Sequence, residues 1–295
     1  MSNSITLAPS HDDPRLAYLI DQQSLFLLVV IFGGMLVLLV LEQLWPRRHS
    51  MSVPVGHWLT NWFLASINFF VLFWLTLQLG NWALLRSYFP DPGLYERLQP
   101  LVAIALIVVL VEFASYWIHR LFHRVSGLWR LHAVHHTDTT FDVTTSQRHH
   151  TAEVAIDTII LLPIFLLFGA PTLILVSYQL VRVLLVLFNH SNIYLPAAVD
   201  RVLRNIIVTP DFHRLHHSPD PQFTNSNYGT VVPWFDYLFG TARKVPFEDT
   251  AVMAVGLEYL RKSGDSRLDR LLLLPLMWRR WGLPDRNQVR GSQTS

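Results

Sequence analysis

The sequence predicts an all-α fold: a multi-pass helical membrane protein with a cytoplasmic helical cap that carries a histidine-rich dinuclear metal site. Three observations predict it. The chain of 295 residues is 51% apolar and only 15% charged, with a mean hydropathy of +0.32, whereas soluble domains carry about a quarter charged residues. Its apolar residues gather into runs long enough to cross a bilayer. Eleven of its fourteen histidines fall between His119 and His217, at helical spacing. The same composition excludes other classes. So much apolar surface excludes disorder as the main state. The absence of cysteine excludes disulfides, thiolate nucleophiles, iron–sulfur clusters and cysteine zinc sites. A net charge of +2 gives no general basic footprint, so no nucleic-acid partner is expected. Lys244 and Lys262 are the only lysines among many arginines, which hints at a GC-rich bacterial genome and hence a bacterial plasma membrane.

Residues 1–22 read as an N-terminal tail and residues 23–100 as membrane anchor helices. Ser24–Leu41 is uncharged and about long enough for a ~30 Å hydrocarbon core. Trp45, Pro46, Arg47 and Arg48 follow it, an interfacial aromatic, a helix stop and a basic pair that the positive-inside rule puts in the cytoplasm. A second uncharged run, Trp58–Leu85, contains Asn61, Asn68 and Gln78 and is either one tilted helix or a broken one. Ser87–Gln99 reads as a loop. Residues 101–244 form the expected catalytic core. Its first run, Leu101–Ile118, returns to the cytoplasm and ends at His119 and Arg120. Val154–Phe188 is broken by Gly169, Ala170 and Pro171 into two short arms, a dipping hairpin or two crossings. Residues 245–295 form a C-terminal tail in which Leu271–Trp281, flanked by arginines, is either an interfacial helix or a segment packed on the protein.

The histidines are grouped as H-x-x-x-H at His119 and His123, H-x-x-H-H at His132, His135 and His136, and again H-x-x-H-H at His213, His216 and His217. Residues three or four apart share a helix face, while neighbours diverge by about 100°. Each H-x-x-H-H can therefore reach two ions at once. Eight imidazoles are too many for one ion and suit two; His150 and His190 bring the expected ligand set to ten. His149 is a weaker candidate, and His11, His49 and His57 read as loop or interfacial residues. A structural zinc site closes with four ligands, and dinuclear hydrolases usually include bridging carboxylates. An all-nitrogen dinuclear site beside a bilayer therefore fits two iron ions with O2 as cosubstrate, with zinc able to replace iron in purified protein.

Glu112, Tyr116, His119 and His123 fall at i, i+4, i+7 and i+11, one helix face. Glu112 is expected to hydrogen-bond a ligand histidine from behind, the alternative being an ion pair with Arg182. Glu153, Asp138, Asp211 and Asp236 are candidates for the same supporting role. Arg120, Arg124, Arg130 and Arg148 are expected to meet lipid headgroups, or else an acidic electron donor.

Ordered along the chain, these motifs are E-x-x-x-Y-W-x-H-R-x-x-H from Glu112 to His123, H-x-x-H-H from His132, R-x-H-x-x-E from Arg148 to Glu153, N-H-S-N from Asn189 to Asn192, and H-x-x-H-H from His213. Asn227, Tyr228 and Gly229 then give N-Y-G, and Trp234 to Thr241 give W-F-D-x-L-F-G-T. In this order the segment Val109–Thr241 resembles the fatty acid hydroxylase / sterol desaturase superfamily of membrane di-iron oxygenases. It departs from the family pattern at Glu112, where Asp is common, and at Thr151, where Pro is common. The resemblance implies a helical anchor, a cytoplasmic cap holding two irons, and O2-dependent hydroxylation or desaturation of an unactivated C–H bond in a membrane lipid such as a sterol or fatty acyl chain. The alternative is a catalytically silent lipid- or metal-binding protein of the same fold. The sequence has neither a dinucleotide-binding glycine fingerprint nor cysteine for a cluster, so a separate donor, a ferredoxin or cytochrome with its reductase, is expected to supply electrons.

Overall fold

The uncharged run before Trp45 folds as one helix, α1 (Gln23–Leu44), which packs on α6 (Thr172–Asn189). A computed structural model describes residues 23–49, 53, 55–78, 88–89 and 91–284; the expected tail 1–22, His11 and the end of the run Trp58–Leu85 lie outside them. The described part of that second run is α2 (Val55–Gln78). The third is α3 (Pro100–Arg124), begun by Pro at its first turn, where a missing N–H costs no hydrogen bond. A single residue, Val125, separates it from α4 (Ser126–His136).

The segment Val154–Phe188 folds as two arms, α5 (Thr151–Phe168) and α6. Gly169 sits between them at φ +58°, a left-handed C-cap that glycine adopts without the Cβ clash. α7 (Pro210–His216) is capped by Thr209, whose hydroxyl accepts from Phe212 N, and short turns form at Ala197–Leu203 and Trp234–Leu238. The last helix among the described residues is α8 (Leu268–Met277). The described residues contain no β-strand. One isolated bridge, Pro46 to Ile193, ties the exits of α1 and α6 together.

Among the described residues three helices are long and apolar enough to cross a membrane: Leu25–Leu44, Pro100–Arg124 and Thr151–Phe168. Their outward residues are apolar, such as Leu36, Val37 and Val40 on α1 and Leu101, Val109 and Phe113 on α3. Such a surface is stable against lipid and unfavourable against water. Inward, α3 packs on α5 through Ile107, Val111, Ile118, Phe122, Leu161 and Phe168. Met35 of α1 meets Leu187 of α6 beside Val143. α8 lies on the protein: Leu271, Leu274 and the fully buried Trp278 pack on Leu64, Trp129, Ala133 and Val134, while Leu276 faces outward.

The helices place their chemically active ends together. α3 and α6 end, and α5 begins, at the level of α4 and α7. Around them the loop 137–148 is held by buried polar groups. Glu42 of α1 accepts Val143 N at 2.9 Å and Asn192 N at 2.5 Å, joining α1 to both sides of the site. Arg148, expected at the headgroups, is instead fully buried. It donates to Val134 O, Thr137 Oγ1, Asn61 Oδ1 and Ser266 Oγ. His57, expected in a loop or at the interface, is also buried, with Asp138 and Asp142 3.3 Å from its two ring nitrogens. In both cases a buried chain turn needs polar partners that water cannot supply.

Candidate metal centre

The last two turns of α3 present His119 and His123 on one face, α4 presents His132 and His136, and α7 presents His216. One ligand nitrogen from each of these five lies within 4.8 Å of the others. A second group, to the same limit, joins His135 of α4, His190 at the C-cap of α6, His213 of α7 and His217 just after it. The division falls inside each H-x-x-H-H. His132 and His136, four apart, serve the first group and His135 the second. His213 and His217 serve the second group and His216 the first.

The nitrogens face one another. Nε2 of His132 lies 3.1 Å from that of His119 and 3.2 Å from that of His136. In the second group Nε2 of His190 lies 3.2 Å from that of His135 and 3.0 Å from that of His213, and His213 and His217 stand 3.2 Å apart. An ion about 2.1 Å from each nitrogen separates neighbouring ligands by about 3.0 Å at a right angle and about 3.4 Å in a tetrahedron. The spacings are those of a coordination shell.

On four of the rings a partner on the far side fixes the tautomer. His119 Nδ1 donates to Tyr228 O at 2.7 Å, His190 Nδ1 to Val186 O at 2.8 Å and His216 Nδ1 to Ser226 O at 2.8 Å. His132 Nδ1 lies 2.7 Å from Glu153 Oε1. Each bond leaves the Nε2 lone pair directed into the group. Nε2 of His216 is buried with no hydrogen-bond partner among the described residues, an imine nitrogen suited to an ion. Burial, reinforced by the neighbouring imidazoles, holds His135, His136, His213, His216 and His217 far below the ordinary histidine range. Burial brings His190 down to about 3. These rings are neutral at pH 7, the state that binds metal.

Of the expected supporting residues, Glu153 touches the cluster, whereas Glu112, Tyr116, Asp211, Asp236 and Asp138, which is held by Thr145 and His57, do not. Glu112 binds no imidazole. Its carboxylate accepts from Tyr178 Oη at 2.7 Å and Val231 N at 3.2 Å, with Arg182 Nε at 3.4 Å, so the ion-pair alternative describes it. Tyr116 Oη lies 3.0 Å from Thr241 Oγ1 and receives Arg120 Nη1 at 3.2 Å. Asp211 accepts from Arg47 Nε at 3.0 Å. Asp236 acts one step removed: it accepts Tyr228 N at 2.8 Å and Gly229 N at 2.7 Å, fixing the loop whose Tyr228 carbonyl holds His119. Burial raises its carboxyl to about 6.

His150, expected as a ligand, is placed apart. Its Nδ1 accepts from Ala152 N as the cap of α5, and its Nε2 lies 3.2 Å from Leu272 O. Both nitrogens are occupied by backbone. Its neighbour His149 comes close instead, stacked on His135 at 4.2 Å with Nδ1 2.9 Å from Glu153 Oε1. The i, i+4 spacing of His149 and Glu153 was the available signal.

Residues 104–241 match the family model described as Fatty acid hydroxylase. The chain is 33% identical over 144 residues to the ornithine lipid hydroxylase OlsE of Rhizobium tropici, a match covering 48% of this chain and 42% of that protein. It is 30% identical over 132 residues to an alkylglycerol monooxygenase of Xenopus tropicalis, covering 44% of this chain and 28% of that one. It is 33% identical over 142 residues to a very-long-chain aldehyde decarbonylase of Oryza sativa subsp. japonica, covering 45% and 22%. The matched segment thus spans less than half the length of each of these relatives. No solved structure matches the chain.

Proposed function

We propose, from the match of residues 104–241 to the fatty acid hydroxylase family model, that this protein is a membrane oxidoreductase that hydroxylates or desaturates an unactivated C–H bond of a membrane lipid, using O2 and two histidine-bound iron ions. The observation that carries the reading is the sorting of nine imidazoles into a group of five and a group of four.

The donor set fits iron: neutral imidazoles, a buried unpartnered Nε2 on His216, and a carboxylate behind His132. His119, His123, His132, His136 and His216 would hold one ion, and His135, His190, His213 and His217 the other. Iron bound there supplies O2 activation and the oxidising power to break an inert C–H bond. The chain's own residues do the rest. Glu153, Tyr228 O, Ser226 O and Val186 O keep the Nδ1 protons away from the ions and the rings in place. The apolar packing of α3 on α5 through Ile118, Phe122 and Leu161 would keep water from the reacting carbon. The lipid substrate would enter sideways from the bilayer, and a separate ferredoxin or cytochrome with its reductase would deliver electrons. The basic Arg47 and Arg48 at the exit of α1 favour a cytoplasmic face for the site.

Lipid mass spectrometry of cells with and without the gene, grown with and without O2, tests the reading. The expected result is a lipid product that needs both the gene and O2 and that disappears in His135→Ala. An unchanged lipid profile would overturn it.

A further inference from the structure

Away from the histidines, a cavity of about 520 Å³ opens where α2 meets the segment 260–269. One wall is apolar: Leu59 and Phe63 of α2, with Leu260. Leu59 and Phe63 are more than half exposed and, with Phe70, fall at i, i+4 and i+11. They are the outward stripe of α2, so the cavity continues onto an apolar helix face.

The opposite rim is cationic. Arg261, Lys262 and Arg267 line it, against one carboxylate, Asp269, which holds Arg267 at 3.0 Å. Arg261 is anchored through Nη1 to Leu257 O at 2.6 Å and Val255 O at 3.2 Å, bonds that aim the guanidinium without neutralising it. Lys262 has no ion pair among the described residues. The rim therefore carries a net excess of two positive charges. Ser266 joins it to the interior, since its hydroxyl receives Arg148 Nη2 at 3.1 Å, and Arg148 in turn holds Thr137, the residue after His136.

We infer that this cavity binds one phosphate-bearing membrane glycerolipid, its phosphate on Arg261, Lys262 and Arg267 and its acyl chain along Leu59 and Phe63. Guanidinium and ammonium groups bind phosphate oxygens through charge-assisted hydrogen bonds, and basic residues at a membrane surface favour anionic lipid. The apolar wall selects a lipid over free phosphate, because a soluble anion gains nothing from Leu59 and Phe63. The inference does not depend on the identity of the metals or on the reaction.

Native mass spectrometry of the delipidated full chain tests it, with phosphatidylglycerol as the probe and inorganic phosphate as the competitor. One phosphatidylglycerol is expected per chain, resistant to displacement by an equal concentration of phosphate. The double variant Lys262→Gln/Arg267→Gln, which brings the rim to neutrality, is expected to weaken binding about tenfold or more. Leu59→Gln/Phe63→Gln is expected to weaken it as well. All four side chains have outward surface, and an unchanged melting temperature verifies folding. Unchanged affinity in the charge variant overturns the proposal. So does ready displacement by phosphate with the apolar variant binding normally, which would mark a site for soluble anions.

Discussion

Glu153 Oε1 lies 2.7 Å from Nδ1 of His132, the histidine whose Nε2 stands between those of His119 and His136. The carboxylate thus fixes the orientation and tautomer of one ring of the five-histidine group. Glu153→Gln keeps the shape and removes the charge. Metal affinity is expected to fall about 10- to 100-fold, measured as ion retained per chain against a graded chelator. An unchanged affinity would remove Glu153 from the centre.

Two histidines close in sequence to the core motifs should behave oppositely. His135→Ala deletes one of the four nitrogens of the second group and should cost the chain one bound ion. His150→Ala deletes the cap of α5 and the contact with Leu272 O, neither of which involves a cluster nitrogen. It should keep the full metal content and lose about 1 kcal/mol of stability. Elemental analysis and thermal melting of the two variants separate the roles; loss of metal in His150→Ala would show that both nitrogens leave the backbone on loading.

The metal-free protein should be acid-labile. Burial keeps His190 at about 3 and the neighbouring cluster histidines well below their ordinary value near 6.5. The unfolded chain therefore takes up protons that the folded chain refuses, and stability falls as pH drops below about 6.5. Melting temperatures of chelator-treated protein between pH 8 and 5 should decline with that onset. A flat profile would show that the rings are already solvated without metal.

Gly229 faces a backbone wall: a Cβ there would lie 2.5 Å from Val232 O and 3.0 Å from Asp236 Oδ2. Gly229→Ala must push the loop off Asp236 and move Tyr228 O away from His119. The expected cost is about 2 kcal/mol, with weaker metal binding at the five-histidine group than at the other. Thermal melting together with stepwise metal titration checks it, and wild-type behaviour in both would show that the loop does not position His119.

Much of this architecture is legible in spacing alone. Helix periodicity groups His119 with His123 and splits His135 from His136 without knowledge of any partner element. The apolar runs give α1, α3 and α5 because lipid-facing helices need no pattern beyond length and the absence of charge. The rest depends on tertiary placement. Glu112 shares a face with His119 along α3, but α6 brings Tyr178 and Arg182 to it first. His150 lies in a ligand-rich stretch, but the start of α5 needs an acceptor and takes its Nδ1. Arg148 and His57 look like surface residues until the loop 137–148 folds over them and demands buried partners.

The split of neighbouring residues has a mechanical consequence. His135 and His136 are joined by one peptide unit yet belong to different groups, as do His216 and His217. Two rigid yokes of covalent backbone therefore set the gap between the centres, and among the described residues no carboxylate is shared between the two groups. Filling one pocket stiffens both yokes and shapes the other, so in the wild-type chain the second ion should bind more tightly than the first.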